Sequence, residues 1–221
     1  MKWVKLEKEF HLYYMVKPVS LVSGIGDDKT TEKYYDDWSN RYDYTLNKWN
    51  YTAPEKSIIL LKKKLNHQPK SILDMACGTG LFGYKLKKNF NNSQIYGSDI
   101  SKKSLELAKK KRVYSNLSNI NFEKKKNYKI KFELVSMIGA MTYCKNFDKL
   151  FSNVNYYLLK NGHFIFSHRI DLWEKQDFDK ILTFYKSNFK TKFISRPQKY
   201  LPLNEDFKDK IKIRLVLLKK I

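Results

Sequence analysis

The stretch SILDMACGTGLFGYKL, residues 71–86, limits the fold more than any other part of the chain. A short apolar run closes on an acid, Asp74. Glycines follow at Gly78, Gly80 and Gly83, and the segment that carries the last of them has amphipathic helical spacing. A strand that ends in a glycine turn and feeds directly into a helix is the opening unit of a parallel α/β sheet. Three of the eight glycines in 221 residues fall within six positions. Residues without a Cβ let the chain turn tightly and approach a ligand at backbone distance.

The rest of the chain continues the alternation. Thr52 and Pro54 open a helix to about Asn66, with Ile58, Ile59, Leu61 and Leu65 on its buried face. QIYGSDI reads as a second strand, and Ser101 is placed to cap the helix that follows. NINFE is a weak third strand and FELVSMI a stronger fourth. FDKLFSNVNYYLLK is a helix stopped by Asn161-Gly162, and HFIFSHR is a fifth strand. A helix near 174–189 precedes two final strands, KTKFIS and KIRLVLLKK, while residues 196–209 suggest no element. The order predicts a mostly parallel, seven-stranded sheet with helices on both faces and an antiparallel C-terminal edge hairpin. Residues 1–30 read as an N-terminal extension and 31–221 as one domain. Within it, the aromatic-rich segment 31–53 is either a lid or a staple onto the core, the staple being the stronger reading.

Composition narrows the classes. The chain is 42% hydrophobic and 15% aromatic, which fits a globular protein, and no apolar run approaches the ~18 residues of a membrane span. No clean signal-peptide core is present, and the two cysteines, Cys77 and Cys144, lack metal-type spacing. The expectation is a cytoplasmic protein with free thiols and no metal site; nothing in the sequence sets an oligomeric state. The formal net charge of +22 comes from 39 Lys and 5 Arg against 22 acids. Phosphate and base recognition favours the planar fork of Arg, so a lysine excess reads as a solvated surface before it reads as a nucleic-acid footprint.

Two ligands suit the glycine turn. The literal G-x-G-x-x-G spacing, with Asp99 closing the second strand, fits a dinucleotide whose pyrophosphate sits on the helix N-terminus. It equally fits an adenosine ligand without phosphate. Asp74 separates the two, because a carboxylate at that strand end favours a cationic amine and repels pyrophosphate. S-adenosylmethionine has the amine, has a ribose diol for Asp99, and lacks phosphate.

LDMACGTGLFGYKL followed by IYGSDISKKSLELAKKK resembles the first two motifs of class I S-adenosylmethionine-dependent methyltransferases. YYDDWSNRYD, WNYTAPE, FELVSMIGAMTY and LLKNGHFIFSHR are similar to successive blocks of small bacterial methyltransferases, including predicted ones named with tetratricopeptide repeats. The likeness covers about residues 33–219, and the repeats themselves are absent. It implies a Rossmann-like domain that uses S-adenosylmethionine and releases S-adenosylhomocysteine. By the same resemblance Asp74 meets the amine, and Ala76, Gly78, Thr79 and Gly80 form the turn beneath the methionyl part. Asp99 takes the ribose hydroxyls and Ile100 the adenine. Ser136 lines the reactive side, and Tyr42 closes over the cofactor. Relatives often place an acid after the third strand against the adenine amine, where this chain offers Glu123.

The resemblance leaves the acceptor open. The sequence favours a small molecule: the Asn/Asp-Pro-Pro-aromatic motif of base-amino methylation is replaced by SMIGAM, and neither cysteine has the proline context of cytosine C5 methylation. RNA methylation on the basic surface is the alternative. Tyr143 and His168 are the candidate proton acceptors, with Tyr42 behind them. A nicotinamide oxidoreductase is the remaining enzyme class, but its Y-x-x-x-K pattern at Tyr156–Lys160 is expected by chance among so many Tyr and Lys.

Overall fold

The computed structural model describes Leu21 and residues 26–221. The expected extension over residues 1–30 therefore lies outside the described residues, apart from Leu21 and residues 26–30. Helix α1 (Asp28–Lys48) begins in those last residues, with Asp27 as its cap, its side chain accepting the Thr30 N–H at 2.8 Å. Helix α2 (Ala53–Lys64) follows, with Pro54 in its first turn. Its Ile58 and Leu61 are buried as expected, but Ile59 is exposed.

Strand β1 (Ser71–Met75), helix α3 (Leu81–Asn89), strand β2 (Gln94–Asp99) and helix α4 (Lys102–Lys110) realise the first two motifs. Ser101 caps α4 as predicted, accepting the Ser104 N–H at 3.0 Å. The third strand, β3, runs Asn116–Asn119, earlier than NINFE. The apolar residues that suggested a strand, Ile120 and Phe122, instead leave the sheet and wall a cavity. Strand β4 (Phe132–Met137) leads through a short 3-10 turn (Met141–Tyr143) to helix α5 (Phe147–Tyr157). This helix ends before Asn161-Gly162. Strand β5 (Leu158–Arg169) starts at once, and the Asn-Gly pair forms a bulge where its register with β4 shifts, Asn161 lying at φ +65°. The helix expected near 174–189 is two short ones, α6 (Ile170–Lys175) and α7 (Phe178–Phe184). Strands β6 (Phe189–Ile194), β7 (Gln198–Lys199) and β8 (Lys212–Lys220) complete the sheet.

The strand order is β3-β2-β1-β4-β5-β8-β6, with β7 on β8, so the sheet has eight strands. Pairs among β1 to β5 are parallel, and β8 is antiparallel to both β5 and β6. The order reverses between β1 and β4, where α/β sheets open their ligand crevice. Period-2 alternation divides the core between two faces. Leu73, Val135 and Phe166 pack under α5 and α7, while Ile72, Leu134 and Ile165 pack under α2 and α3. A third cluster joins Trp38 and Leu46 of α1 to Leu201, Phe207 and Ile211. Residues 196–209 have no periodicity because, apart from the two residues of β7, their fold is local turns. Asn204 Oδ1 accepts the N–H groups of Asp206 and Phe207, at 2.9 and 3.1 Å.

Among the described residues, no helix is long and apolar enough to cross a membrane. Both Cys77 and Cys144 are free and buried.

Candidate functional site

The carboxyl ends of β1, β2 and β4 open into a cavity. Its floor is the turn after β1. Ala76 lies at φ +51° there, outside the region open to most side chains, and Gly78 follows at φ +55°. A Cβ added to Gly78 would meet no atom within 4 Å, so the space above this glycine belongs to the cavity. Asp99 forms one wall and is 8% exposed. Its Oδ2 accepts the Gly78 N–H and its Oδ1 the Ser101 N–H, both at 2.8 Å. Burial pushes its carboxyl up to about 6 in spite of these donors, which favour the charged form. Ile100 lies beside it.

Of the residues expected at the ligand, Tyr42, Ala76, Gly78, Asp99, Ile100 and Tyr143 line this cavity. Asp74, Thr79, Gly80 and Ser136 stand behind its surface. Asp74 is 1% exposed; Ser136 Oγ donates to its Oδ1 at 2.7 Å and Tyr114 Oη to its Oδ2 at 2.8 Å. Burial raises Asp74 to about 7, the two hydroxyl donors opposing the shift and the charge of Asp99 adding to it. Thr79 donates to Asp43 of α1, and Lys111 Nζ pairs with the same carboxylate at 2.5 Å. One face of α1 is bolted down a second time, since Asp36 accepts from Ser101 Oγ at 2.6 Å and the Lys103 N–H at 3.1 Å.

Tyr114 explains a glycine that the sequence assigns to the ligand turn. A Cβ on Gly83 would sit 2.0 Å from Tyr114 Oη and 2.2 Å from its Cζ. Gly83 is thus a slot for the phenol that reaches Asp74, not part of the cavity wall. Gly97 clears the same ring, its added Cβ falling 2.9 Å from Tyr114 Cε1. The sequence signal was present: a glycine in the first turn of α3 and another inside β2, both costly there unless a neighbour needs the room.

His168 is not at the cavity. It is 1% exposed, with Nε2 3.0 Å from Gln176 Oε1, and its ring packs on Phe178 at 4.6 Å between centroids. Nδ1 is buried without a partner. Burial lowers its pKa to about 4, which makes it a neutral structural histidine at ordinary pH. Glu123 also turns away, its Oε1 accepting the N–H groups of Lys145 and Asn146 at 2.6 and 3.1 Å. Asn121 is the polar side chain on the cavity wall after β3.

The aromatics of α1 divide between the core and the cavity wall. Trp38 is a staple, 4% exposed and 4.7 Å from the Tyr42 ring. Tyr35 and Tyr42 line the cavity, and Tyr35 Oη donates to Tyr143 Oη at 2.7 Å.

A family profile described as "Methyltransferase domain" matches residues 66–198, more than half of the chain. Methyltransferase-like protein 27 of Homo sapiens is 32% identical over 128 residues, covering 56% of this chain and 52% of that protein. Malonyl-(acyl-carrier protein) O-methyltransferase 1 of Ilyobacter polytropus is 28% identical over 148 residues, covering 67% and 49%. The chain spans about half the length of these curated relatives. A TehB-like SAM-dependent methyltransferase from Corynebacterium glutamicum superposes with a TM-score of 0.63 at 15% identity, covering 86% of this chain and 99% of that one. The N-methyltransferase NodS from Bradyrhizobium japonicum, in complex with S-adenosylhomocysteine, gives 0.58 at 15%, covering 75% and 86%. At such identity the structural likeness shows the fold. S-adenosylmethionine, rather than a nicotinamide dinucleotide, is the cofactor that the family match supports. With the crevice where the strand order reverses and the profile running from the strand before it to β7, this chain belongs to the methyltransferase-domain family.

Proposed function

We propose that the chain is an S-adenosylmethionine-dependent methyltransferase that passes a methyl group, in line, to a small-molecule acceptor. Asp99 carries the reading. It is a nearly dry carboxylate on the cavity wall, fixed by two main-chain N–H groups. Its remaining lone pairs suit the two hydroxyls of a ribose, whose charge-assisted bonds draw it into the ionised form. A pyrophosphate at Gly78 would stand beside that charge and above buried Asp74, which disfavours a dinucleotide.

The residues present fit the cofactor. The bare backbone at Gly78 leaves room for the methionyl part, and Ile100 offers an apolar face to the adenine, with Asn121 as its polar neighbour. Asp74 acts from behind the wall as a buried charge that ionises when an ammonium arrives, and Ser136 and Tyr114 hold it in place. Thr79 and Gly80 shape the turn and tie it to α1. The rings of Tyr42 and Tyr143 suit a sulfonium.

Bound there, the cofactor supplies an electrophilic methyl on a good leaving group. What the protein adds is orientation and dryness. Helix α1 supplies the dryness, since Asp36 and Asp43 clamp it over the turn and Tyr35 and Tyr42 close the gap. Tyr143 is assigned to orienting the acceptor, and His168 to packing. A relative named for a malonyl group on acyl-carrier protein supports a small acceptor over RNA.

Calorimetric titration with S-adenosylhomocysteine, NAD and NADP tests the reading. The expected result is micromolar binding of the first alone, lost in Asp99→Ala. Binding of NAD or NADP in its place would overturn it.

A further inference from the structure

At the end of the sheet opposite the cofactor cavity, the amino ends of β1, β4 and β5 border a groove of about 330 Å³. Helix α2 ends at Lys64, and the groove lies between the loop that returns from it and strands β5, β8 and β6. Four lysines line it, Lys64, Lys160, Lys192 and Lys219, against one acid, Glu133. Among the described residues none of these lysines forms an ion pair. Glu133 is engaged elsewhere: its Oε2 accepts the Lys70 N–H at 2.9 Å and faces His67 Nε2 at 3.4 Å.

Strand pairing concentrates the charge. Lys219 of β8 stands directly opposite Lys190 of β6 on one side and His163 of β5 on the other. Like charges directly opposite across a sheet repel and destabilise it. Half-buried His163 registers the crowding. Burial first, then the charges of Lys219, Lys192 and His67, lower its pKa to about 4. Its ring is therefore neutral at ordinary pH and has one N–H to donate, which no group among the described residues accepts. A lysine excess alone gives a solvated surface. Here four ammonium groups, this imidazole and the amides of Asn66 and Asn161 border one concave space.

The matching ligand is small and highly charged. A carboxylate brings one charge and a planar pair of oxygens, which suits the fork of Arg. Lysine is a compact point charge with three donors, which suits the oxygens of phosphate. The groove has the volume of about eleven waters, enough for two or three linked phosphate groups, and Leu65 and Leu159 add apolar surface beside them. We propose that it binds a compact polyphosphate anion: inorganic pyrophosphate or triphosphate, or the phosphate tail of a nucleotide. The four ammonium groups neutralise the anion, and His163 and the two amides donate between them. Its charge also offsets the repulsion between Lys190 and Lys219. The groove shares no lining residue with the cofactor cavity, so the site is independent of the methyl acceptor.

The test is calorimetric titration with pyrophosphate, triphosphate and ATP at fixed ionic strength. We expect triphosphate to bind, and the double variant Lys192→Gln/Lys219→Gln to weaken it at least about tenfold. Lys109→Gln/Lys110→Gln removes the same charge from the end of α4 and should leave the affinity unchanged. All four side chains are exposed or half-exposed, so both variants should fold, which thermal melts check. In NMR spectra, triphosphate should move the ring signals of His163 and leave those of His168, near the other end of β5, in place. Both sources of the anion fit the proposal. ATP binding more tightly than triphosphate would assign the groove to a nucleotide, and equal binding to inorganic polyphosphate. Equal weakening in the two double variants would mean attraction by net charge alone and would overturn the site. Tighter binding of single-stranded oligouridylate than of all three anions would overturn it in favour of nucleic acid. No binding of triphosphate at millimolar concentration would also overturn it.

Discussion

Replacing Gly83 by alanine puts a methyl group where Tyr114 already is. The new Cβ would lie 2.0 Å from the phenol oxygen and 2.2 Å from Cζ. Ordinary contact needs about 3.4 Å or more, so the ring must retreat by roughly 1.3 Å. It is also tied: its hydroxyl donates to Asp74 at 2.8 Å, and a shift of that size breaks the bond. Overpacking costs about 1–3 kcal/mol, and losing a hydrogen bond to a buried carboxyl about 1.5–3. Alanine in a helix returns only about 0.5–1 kcal/mol. The net expectation is a loss of about 2–4 kcal/mol, which lowers the melting temperature by about 5–15 °C in a chain of this size. Thermal unfolding of Gly83→Ala in the wild-type and Tyr114→Ala backgrounds isolates the term. Without the ring, the same substitution should be neutral or mildly stabilising. A Gly83→Ala protein more stable than wild type, or a penalty equal in both backgrounds, would refute the slot and return Gly83 to the ligand turn.

Asp74 and Asp99 are acids raised by burial, to about 7 and about 6, so the folded apoprotein holds their protons more tightly than the unfolded chain does. Their contribution is full in acid and is lost as pH rises through 6 to 7. Asp74→Asn should therefore be more stable than wild type at pH 8, with the difference fading toward pH 5 in parallel melts; a difference that grows in acid contradicts the assignment. Ligand binding has the opposite sign. An ammonium at Asp74 and a diol at Asp99 both favour carboxylates, so calorimetric affinity for S-adenosylhomocysteine should rise up to about tenfold between pH 6 and 8. The depressed pKa of His168, about 4, predicts a stability term that is present above pH 6.5 and decays below it, worth about 3 kcal/mol by pH 4. His168→Leu should flatten that decay in acid melts while keeping cofactor affinity; loss of affinity would place the histidine in the site after all. Asp43→Ala removes the acceptor of Thr79 and the partner of Lys111, so limited proteolysis should cut α1 faster, and S-adenosylhomocysteine should restore protection. Unchanged cleavage would mean that the clamp holds nothing.

The sheet was legible because its strands are apolar runs bounded by turns and its helices carry one buried stripe. The features that escaped have identifiable causes. Ile120 and Phe122 look like a strand, yet their apolar side chains serve a cavity, and a pattern of hydrophobicity does not say which void it faces. Asn161-Gly162 signals a break without saying whether it ends a helix or kinks a strand. Helix α1 was hidden because few of its residues are buried; it is held by Asp36 and Asp43, seven residues apart on one face, whose partners lie far away in the chain. The site divides in the same way. Asp99, Ile100 and Gly78 reach the cavity through backbone position alone, which a motif encodes. Tyr114 and Asn121 lie 40 and 47 residues beyond Asp74, and no local spacing brings them together. The glycines show the limit most directly. Gly78 and Gly83 are equivalent in the motif, yet one opens onto empty space and the other onto a phenol ring. A glycine motif therefore records where side chains are forbidden, and only the fold tells whether the excluded volume belongs to a ligand or to the protein itself.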